Sequence, residues 1–295
     1  MRFAVLPELR ALSRKQLTIA SNRRQLAASH QRSWLWGHHA VMETLRARRW
    51  PIDELFIANE LPEDQKLLLR DAADQLQILL HQTSTERLRQ LSGRTDTQGL
   101  LARMQEYPLE KLPTAAELAP EQKQAVDRVS ETPPLYVCLD RIQDPHNFGA
   151  ILRNCDAVQA AGVIIGCQQQ AAVTPHVARA SSGAVNHLRI MQTESLTAAM
   201  LQFAAAGFRI AAASEKATDD LWNTPLHQPT VLVIGTEATG IAADLLSCCD
   251  LQVRIPMQGQ VGSLNAAVAA GILMFECRRQ AEAWSSHNTE KKTHD

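Results

Sequence analysis

The chain lacks the long apolar run of a membrane helix and the cysteine pairs of a metal site. Its richest apolar stretch, 266–277, is shorter than the roughly 18 apolar residues that a membrane span requires. The six cysteines include no CxxC pair, and none has a histidine nearby at metal-ligand spacing. Several lie in apolar runs, as Cys138 does, which is typical of reduced, buried thiols. The sequence therefore predicts a soluble protein with no metal and no membrane partner.

Two glycine signatures of nucleotide-binding proteins are also missing. No glycine-rich loop ends in Gly-Lys-Ser or Gly-Lys-Thr, and no GxGxxG follows a predicted strand. Their absence disfavours a nucleotide hydrolase and a Rossmann-type oxidoreductase.

Acidic residues are scarce at the start of the chain. Residues 1–32 contain one acid, Glu8, and seven basic residues: Arg2, Arg10, Arg14, Lys15, Arg23, Arg24 and Arg32. This pattern fits a disordered basic arm that lies near RNA phosphates. It fits equally well an organellar targeting segment or a stretch ahead of the true start codon, and composition does not separate the three. We expect a cytoplasmic protein, with organellar import left open.

The length of 295 residues, with 45% hydrophobic and 21% charged residues, favours two globular domains. Residues 33–106 form a small α/β domain, with helices at 39–48 and 62–75 and strands at 54–58, 77–80 and 99–103. The proline-containing segment 107–134 is a linker, residues 135–280 form a larger domain, and 281–295 are expected to be a disordered tail.

The larger domain alternates strands with helices, which is typical of a parallel sheet covered on both faces. Strands are predicted at 135–140, 163–166, 208–213, 231–235 and 251–255, and helices near 147–161, 195–206 and 263–279. Because ligands bind at the carboxyl ends of parallel strands, we expect the chemistry in the loops after Leu139, Ile234 and Ile255.

Each of these three loops has a candidate feature. In the first, Asn147 can cap the following helix, and Arg153 stands on a helix face of small residues. In the second, glycines at 235 and 240 permit a backbone turn close to a ligand. In the third, Ser263 can cap a helix whose first residues are small enough for close packing.

Taken together, the three loops resemble the three motifs of the SpoU family of RNA 2′-O-methyltransferases, also called the TrmH family. Residues 147–153 match the family's Asn-x5-Arg motif, 235–237 read Gly-Thr-Glu, and 255–257 with 263–265 read Ile-Pro-Met and Ser-Leu-Asn. More weakly, 37–41 and 98–103 are similar to the ends of the family's substrate-binding domain. After Asn265 the chain has Ala-Ala where relatives often have Val-Ser.

The resemblance implies a C-terminal α/β trefoil-knot methyltransferase domain and a small N-terminal α/β domain with an L30e-like fold. It implies S-adenosyl-L-methionine as methyl donor, and a homodimer packed through the knot. The cofactor-binding residues it implies are Gly235, Ile255, Met257, Gly259 and Leu264. The catalytic residues it implies are Arg153, Asn147, Glu237, Ser263 and Asn265.

Arg153 is the family's proposed catalytic residue, but a guanidinium stays protonated and is a poor general base. We prefer a role in which Arg153 binds the target phosphate and lowers the pKa of the ribose hydroxyl, with the base left open.

The motifs indicate the reaction and not the RNA. The N-terminal domain favours a guanosine of 23S rRNA, and a tRNA 2′-O-methyltransferase is the alternative. A non-catalytic RNA-binding or ribosome-assembly protein on the same fold is a second alternative, which the intact motifs disfavour.

Overall fold

The computed structural model describes residues 33–118, 132–260 and 262–292. The predicted basic arm at 1–32 lies outside these residues. The chain forms two compact units. Among the described residues, the smaller contains 33–41 together with Pro51–Gln105, and the larger contains Met42–Trp50, 106–118, 132–260 and 262–292.

The smaller unit is built on a four-stranded sheet in the order β1-β4-β2-β3. The pairings β1–β4 and β2–β4 are antiparallel, and β2–β3 is parallel. The sequence predicted three of these strands and two helices, and missed β1 and α3. In chain order, the elements of residues 34–104 are β1 Trp34–Trp36, α1 His38–Ala47, β2 Ile52–Ala58, α2 Glu63–Leu76, β3 Leu79–Thr83, α3 Thr85–Ser92 and β4 Leu100–Met104.

The larger unit contains a seven-stranded sheet in the order β7-β6-β5-β10-β8-β11-β9, in which every pairing is parallel. This confirms the predicted parallel α/β architecture. Its strands are β5 Leu135–Leu139, β6 Gly162–Gly166, β7 Ile190–Thr193, β8 Arg209–Ala213, β9 Asp219–Asp220, β10 Thr230–Ile234 and β11 Leu251–Arg254. Its helices are α4 Pro145–Ala157, α5 Pro175–Ala180, α6 Leu196–Ala205, α7 Ala243–Leu246 and α8 Ala266–Lys292, with 3₁₀ turns at Ala184–His187 and Leu221–Asn223.

The central strands β5 and β10 are buried along their whole length. Burial on both faces explains their continuous apolar sequence. They pair in register from Leu135 opposite Thr230 to Leu139 opposite Ile234. Both strands therefore end at the same level, and the loops that follow them leave the sheet side by side.

Small residues allow helix α4 to pack closely against α5 and α8: Gly149 of α4 faces α5, and Gly271 of α8 faces α4. A side chain at Gly149 would overlap Ala180, because its Cβ would lie 2.3 Å from the Cβ of Ala180, and one at Gly271 would lie 3.0 Å from the Asn154 amide. The Asn154 amide donates to the carbonyl of Ala267 at 3.2 Å. The small residues Gly149 and Gly271 therefore serve close contacts between helices of one chain.

Two segments differ from the expected boundaries. Helix α8 runs through Lys292, beyond the point at which a disordered tail was expected. The start of the expected linker is part of the larger unit. The Tyr107 hydroxyl donates to the carbonyl of Val185, the backbone of Glu110 forms a β-bridge with that of Met191, and Leu118 is fully buried. Residues 119–131 lie outside the described part of the chain. No helix among the described residues is both long and apolar enough to cross a membrane.

Candidate active site

Helix α4 places the first motif beside the end of β5. Asp144 is the N-cap, since its carboxylate accepts from the N–H of His146 at 3.0 Å, and Pro145 occupies the first turn. The prediction that Asn147 caps this helix is wrong, because the helix begins two residues earlier, at Pro145. The Asn147 side chain is therefore free to point towards the other loops.

Asn147, Glu237 and Asn265 form one hydrogen-bonded cluster that joins the three loops. Oε1 of Glu237 accepts from the amide nitrogens of Asn147 at 3.0 Å and Asn265 at 2.7 Å. The Asn265 amide also donates to Oδ1 of Asn147 at 2.9 Å. We call these three side chains the motif cluster.

The third loop meets α8 at Asn265. Its Oδ1 accepts from the N–H groups of Ala267 at 3.0 Å and Val268 at 3.3 Å, and Oε1 of Glu237 accepts from the N–H of Ala266 at 2.9 Å. The prediction that Ser263 caps this helix is wrong, because α8 begins at Ala266 and Asn265 fills the capping position. A carboxylate at this end of α8 is also favoured by the helix dipole.

The second loop, 235–242, is closed by its own backbone. The N–H groups of Thr236 and Gly240 each donate to the other residue's carbonyl, at 3.2 and 2.9 Å. A Cβ at Gly235 would lie 2.3 Å from the carbonyl carbon of Gly240, and Gly240 itself has φ +68°. Both positions therefore require glycine, one for close approach and the other for its conformation.

Asp140 and Arg141 hold this loop from the end of β5. The Asp140 carboxylate is buried and accepts from Nε and Nη2 of Arg141 at 3.0 and 2.9 Å, and from the N–H of Ala242 at 2.7 Å. Nη2 of Arg141 also donates to the carbonyl of Gly240 at 3.2 Å. Hydrogen bonding to Asp140 raises the pKa of the Arg141 guanidinium.

A cavity of about 260 Å³ opens between the ends of β8, β10 and β11. Four of the five residues expected to bind the cofactor line it: Gly235, Ile255, Met257 and Leu264. Ser263 and Glu237 line it as well. Gly259 is not among its lining residues, and a Cβ added there would meet nothing within 4 Å.

A second cavity of about 350 Å³ lies on the other side of loop 235–242. It shares Thr236, Glu237, Ala238, Thr239 and Ala266 with the first cavity. Its remaining lining is mostly polar and comes from residues after β5 and β6: Arg141, Ile142, Gln143, Asp144, Asn147 and Gln169. The motif cluster therefore borders both cavities.

Arg153 stands apart from the motif cluster. It follows Asn147 by six residues on α4, about 9 Å along the helix axis. Its Nη1 donates to the hydroxyl of Ser182 at 3.2 Å, and it lines neither of the two cavities. Ser182 has φ +54°, in the left-handed region that favours glycine.

Sequence reasoning missed two groups of residues at this edge of the sheet. Ser214, Glu215 and Lys216 follow β8 and line the first cavity. The rule that ligands bind beyond the carboxyl ends of parallel strands would have included them. Asp140 and Arg141 fall in the first loop, and only their contacts with Gly240 and Ala242, about a hundred residues away, reveal what they hold. Within 33–118, 132–260 and 262–292, no three His, Cys, Asp or Glu side chains are grouped as metal ligands.

Two family models match the chain. Residues 134–275 match the SpoU rRNA Methylase family, and residues 34–110 match the RNA 2′-O ribose methyltransferase substrate-binding family. The first match lies within the larger unit, and the second covers the smaller unit from Trp34 onward together with Met42–Trp50 and 106–110 of the larger unit.

Known proteins resemble this chain over most of its length. The 23S rRNA (guanosine-2′-O-)-methyltransferase RlmB of Ralstonia nicotianae is 32% identical over 83% of this chain and 95% of its own. The AdoMet-bound rRNA methyltransferase of Sinorhizobium meliloti has a TM-score of 0.69 at 25% identity, over 83% of this chain and 86% of its own. The SpoU methyltransferase AviRb of Streptomyces viridochromogenes, solved with AdoMet, has a TM-score of 0.67 at 27% identity, over 85% and 90%. The chain thus belongs to the SpoU family of S-adenosylmethionine-dependent RNA ribose 2′-O-methyltransferases.

Proposed function

We propose that the protein methylates the ribose 2′-hydroxyl of a guanosine in 23S rRNA, and that it acts as a cytoplasmic homodimer with a knotted catalytic domain. The choice of RNA is supported by the substrate-binding match at 34–110 and by the name of the Ralstonia relative. The observation that carries the proposal is the motif cluster, which joins three loops on the border of two adjoining cavities.

The first cavity suits S-adenosylmethionine. Ile234, Ile241, Val253, Ile255 and Leu273 supply apolar surface, and the close turn at Gly235 exposes backbone to the ligand. When bound, the cofactor supplies an electrophilic methyl group on a sulfonium sulfur. The residues of this chain must hold that group in line with a ribose hydroxyl and exclude competing water.

The second cavity is our proposed site for the target nucleotide. It adjoins the first across Glu237 and Ala266, so a ribose there would face the cofactor. Oε1 of Glu237 accepts three hydrogen bonds, whereas Oε2 accepts none from the described residues and is available to a ribose hydroxyl. Asn147 and Asn265 then act as positioning residues that fix the carboxylate, and Ser263 lines the cofactor side of the site.

We assign Arg153 to the RNA phosphate. A guanidinium offers two parallel donors to a phosphate, and its charge favours ionisation of a nearby hydroxyl. Because Arg153 lies away from the motif cluster of its own chain, a homodimer in which it reaches the partner's site accounts for its position. Exposed apolar side chains on α8 support such a dimer, since Val268 is 50% exposed and Phe275, seven residues on, is 51% exposed.

The chain path supports the knot. Strand β11 lies near one edge of the sheet, and the segment after it runs alongside loop 235–242, where Asn265 donates a hydrogen bond to Glu237. It then packs α8 against α4, on the other side of β10.

The test is transfer of labelled methyl groups from S-adenosylmethionine to separately purified 23S rRNA, 16S rRNA and tRNA from cells that lack the gene. We expect one ribose-methylated guanosine in 23S rRNA, missing in cells without the gene and restored by the wild-type protein. The Arg153→Ala variant is the inactive control. Methylation confined to tRNA would replace the proposed substrate with the alternative one. No methylation of any RNA, with cofactor binding intact, would favour a binding protein.

A further inference from the structure

Arg141 adopts a backbone conformation that arginine rarely takes. Its φ is +59°, in the left-handed region. Two other non-glycine residues with positive φ, Arg48 and Gln77, directly follow helices, where a left-handed residue commonly ends the helix. Arg141 instead follows strand β5 by two residues. A helix end therefore does not account for its conformation.

The conformation turns the guanidinium back onto the preceding residue and across to the second loop. Nε and Nη2 of Arg141 grip both oxygens of Asp140, and Nη2 also reaches the carbonyl of Gly240. Asp140 in turn accepts from the N–H of Ala242. Two adjacent side chains thus hold the end of loop 235–242 at two points, and the forked, planar guanidinium lets Arg141 bind Asp140 and the carbonyl of Gly240 at once.

The loop that is held in this way contributes to both cavities. Gly235 and Ile241 line the first cavity, Thr236, Glu237 and Thr239 line both, and Glu237 belongs to the motif cluster. A shift of the loop would change the cofactor cavity and the direction of the Glu237 carboxylate together. Arg141 itself lines only the second cavity, so we expect its effect on the cofactor to pass through the loop.

We propose that Arg141 is a positioning residue that, with Asp140, fixes loop 235–242 in the cofactor-binding conformation. The inference rests on the proposed use of the first cavity by the cofactor. Arg141→Lys keeps the positive charge beside buried Asp140 but loses the fork. We expect the Kd for S-adenosylhomocysteine to rise about tenfold, the fold-change that corresponds to losing one charge-assisted hydrogen bond.

The experiment compares Arg141→Lys with Arg279→Lys. Arg279 makes the same two-pronged contact, to Glu276, but lines neither cavity. Calorimetry gives the Kd for S-adenosylhomocysteine, urea unfolding gives stability, and amide exchange reports on Gly240 and Ala242. We expect a raised Kd and faster exchange at these two amides for Arg141→Lys alone, with the urea midpoint of both variants close to wild type.

Asp140→Asn serves as the second variant. It keeps an oxygen for the N–H of Ala242 and removes the ion pair, so we expect the Kd to rise here too. A Kd within twofold of wild type in both variants, or a Kd that changes only in step with the urea midpoint, would overturn the proposal. Failure of the wild-type protein to bind S-adenosylhomocysteine would contradict the assignment of the cavity instead.

Discussion

Removing Asn147 and Glu237, singly and together, should show that the motif cluster acts as one unit. Asn147→Ala removes the hydrogen bonds to Glu237 and Asn265. Because both of these hydrogen bonds are exposed to solvent, we expect Asn147→Ala to lower the free energy of unfolding by about 1 kcal/mol. Glu237→Ala removes three hydrogen bonds, including the one from the first N–H of α8, and should cost about 2 kcal/mol.

The double variant should be about 2.5 kcal/mol less stable than wild type, and not about 3, because the Asn147–Glu237 bond is lost in either single variant and must be counted once, whereas the bond from Asn265 to Asn147 is a separate loss. Single-turnover methylation at saturating cofactor and RNA should fall about a hundredfold in each single variant, since displaced reacting groups reduce the rate by that order. The double variant should be no slower than the slower single variant. Urea unfolding and rapid-quench kinetics supply the two measurements. Strictly additive stabilities together with multiplied rate losses would show that the two residues act independently.

Five further variants test three separate features: the cofactor loop, Arg153 and the proposed dimer. Gly235→Ala should raise the Kd for cofactor at least tenfold, because its Cβ would lie 2.3 Å from the backbone of Gly240. Gly259→Ala is the matched control: a Cβ there would meet nothing within 4 Å, so the Kd measured by calorimetry should stay unchanged. Arg153→Ala should abolish turnover while cofactor affinity and stability stay within about 0.5 kcal/mol of wild type. Arg153→Lys should also lose most activity, because lysine lacks the planar fork of the guanidinium. Near-normal single-turnover methylation by Arg153→Ala would exclude the assigned role of Arg153 at the RNA phosphate. Phe275→Ser should shift the mass from light scattering towards that of a monomer, and a wild-type protein that is monomeric at micromolar concentration would contradict the dimer.

The sequence was most informative where one interaction determines the local structure. Strands such as β5 and β10 are buried on both faces, so their unbroken apolar runs identified them directly. Because parallel strands end at one edge, the three loops could be placed together before any contact was known. Most of the elements that were missed are short, such as the two-residue strand β9 and the four-residue helix α7, and carry little periodicity, and the eight-residue helix α3 is the longest of them.

Details of the site depended on distant contacts that local pattern does not encode. Asn147 is a good capping residue by type, but Asp144 with Pro145 starts the helix earlier, and Glu237, 90 residues away, binds the asparagine. Ser263 has the right chemistry for a cap, yet Asn265 and Glu237 together supply it. The small residues of α4 and α8 correctly indicated close packing, but the sequence did not show that these helices pack against each other within one chain.

Synthesis of the chain imposes a delay on the motif cluster. Asn147 and Asn265 are 118 residues apart, so at about 5–20 residues per second the first waits on the order of ten seconds for the second to be made. For the first 90 residues of that interval, until Glu237 is made, helix α4 can form while the Asn147 side chain has neither of its partners from the later loops. A ribosome-bound chain that ends before residue 265 should therefore not retain S-adenosylmethionine, and affinity for the cofactor should appear abruptly once α8 has emerged.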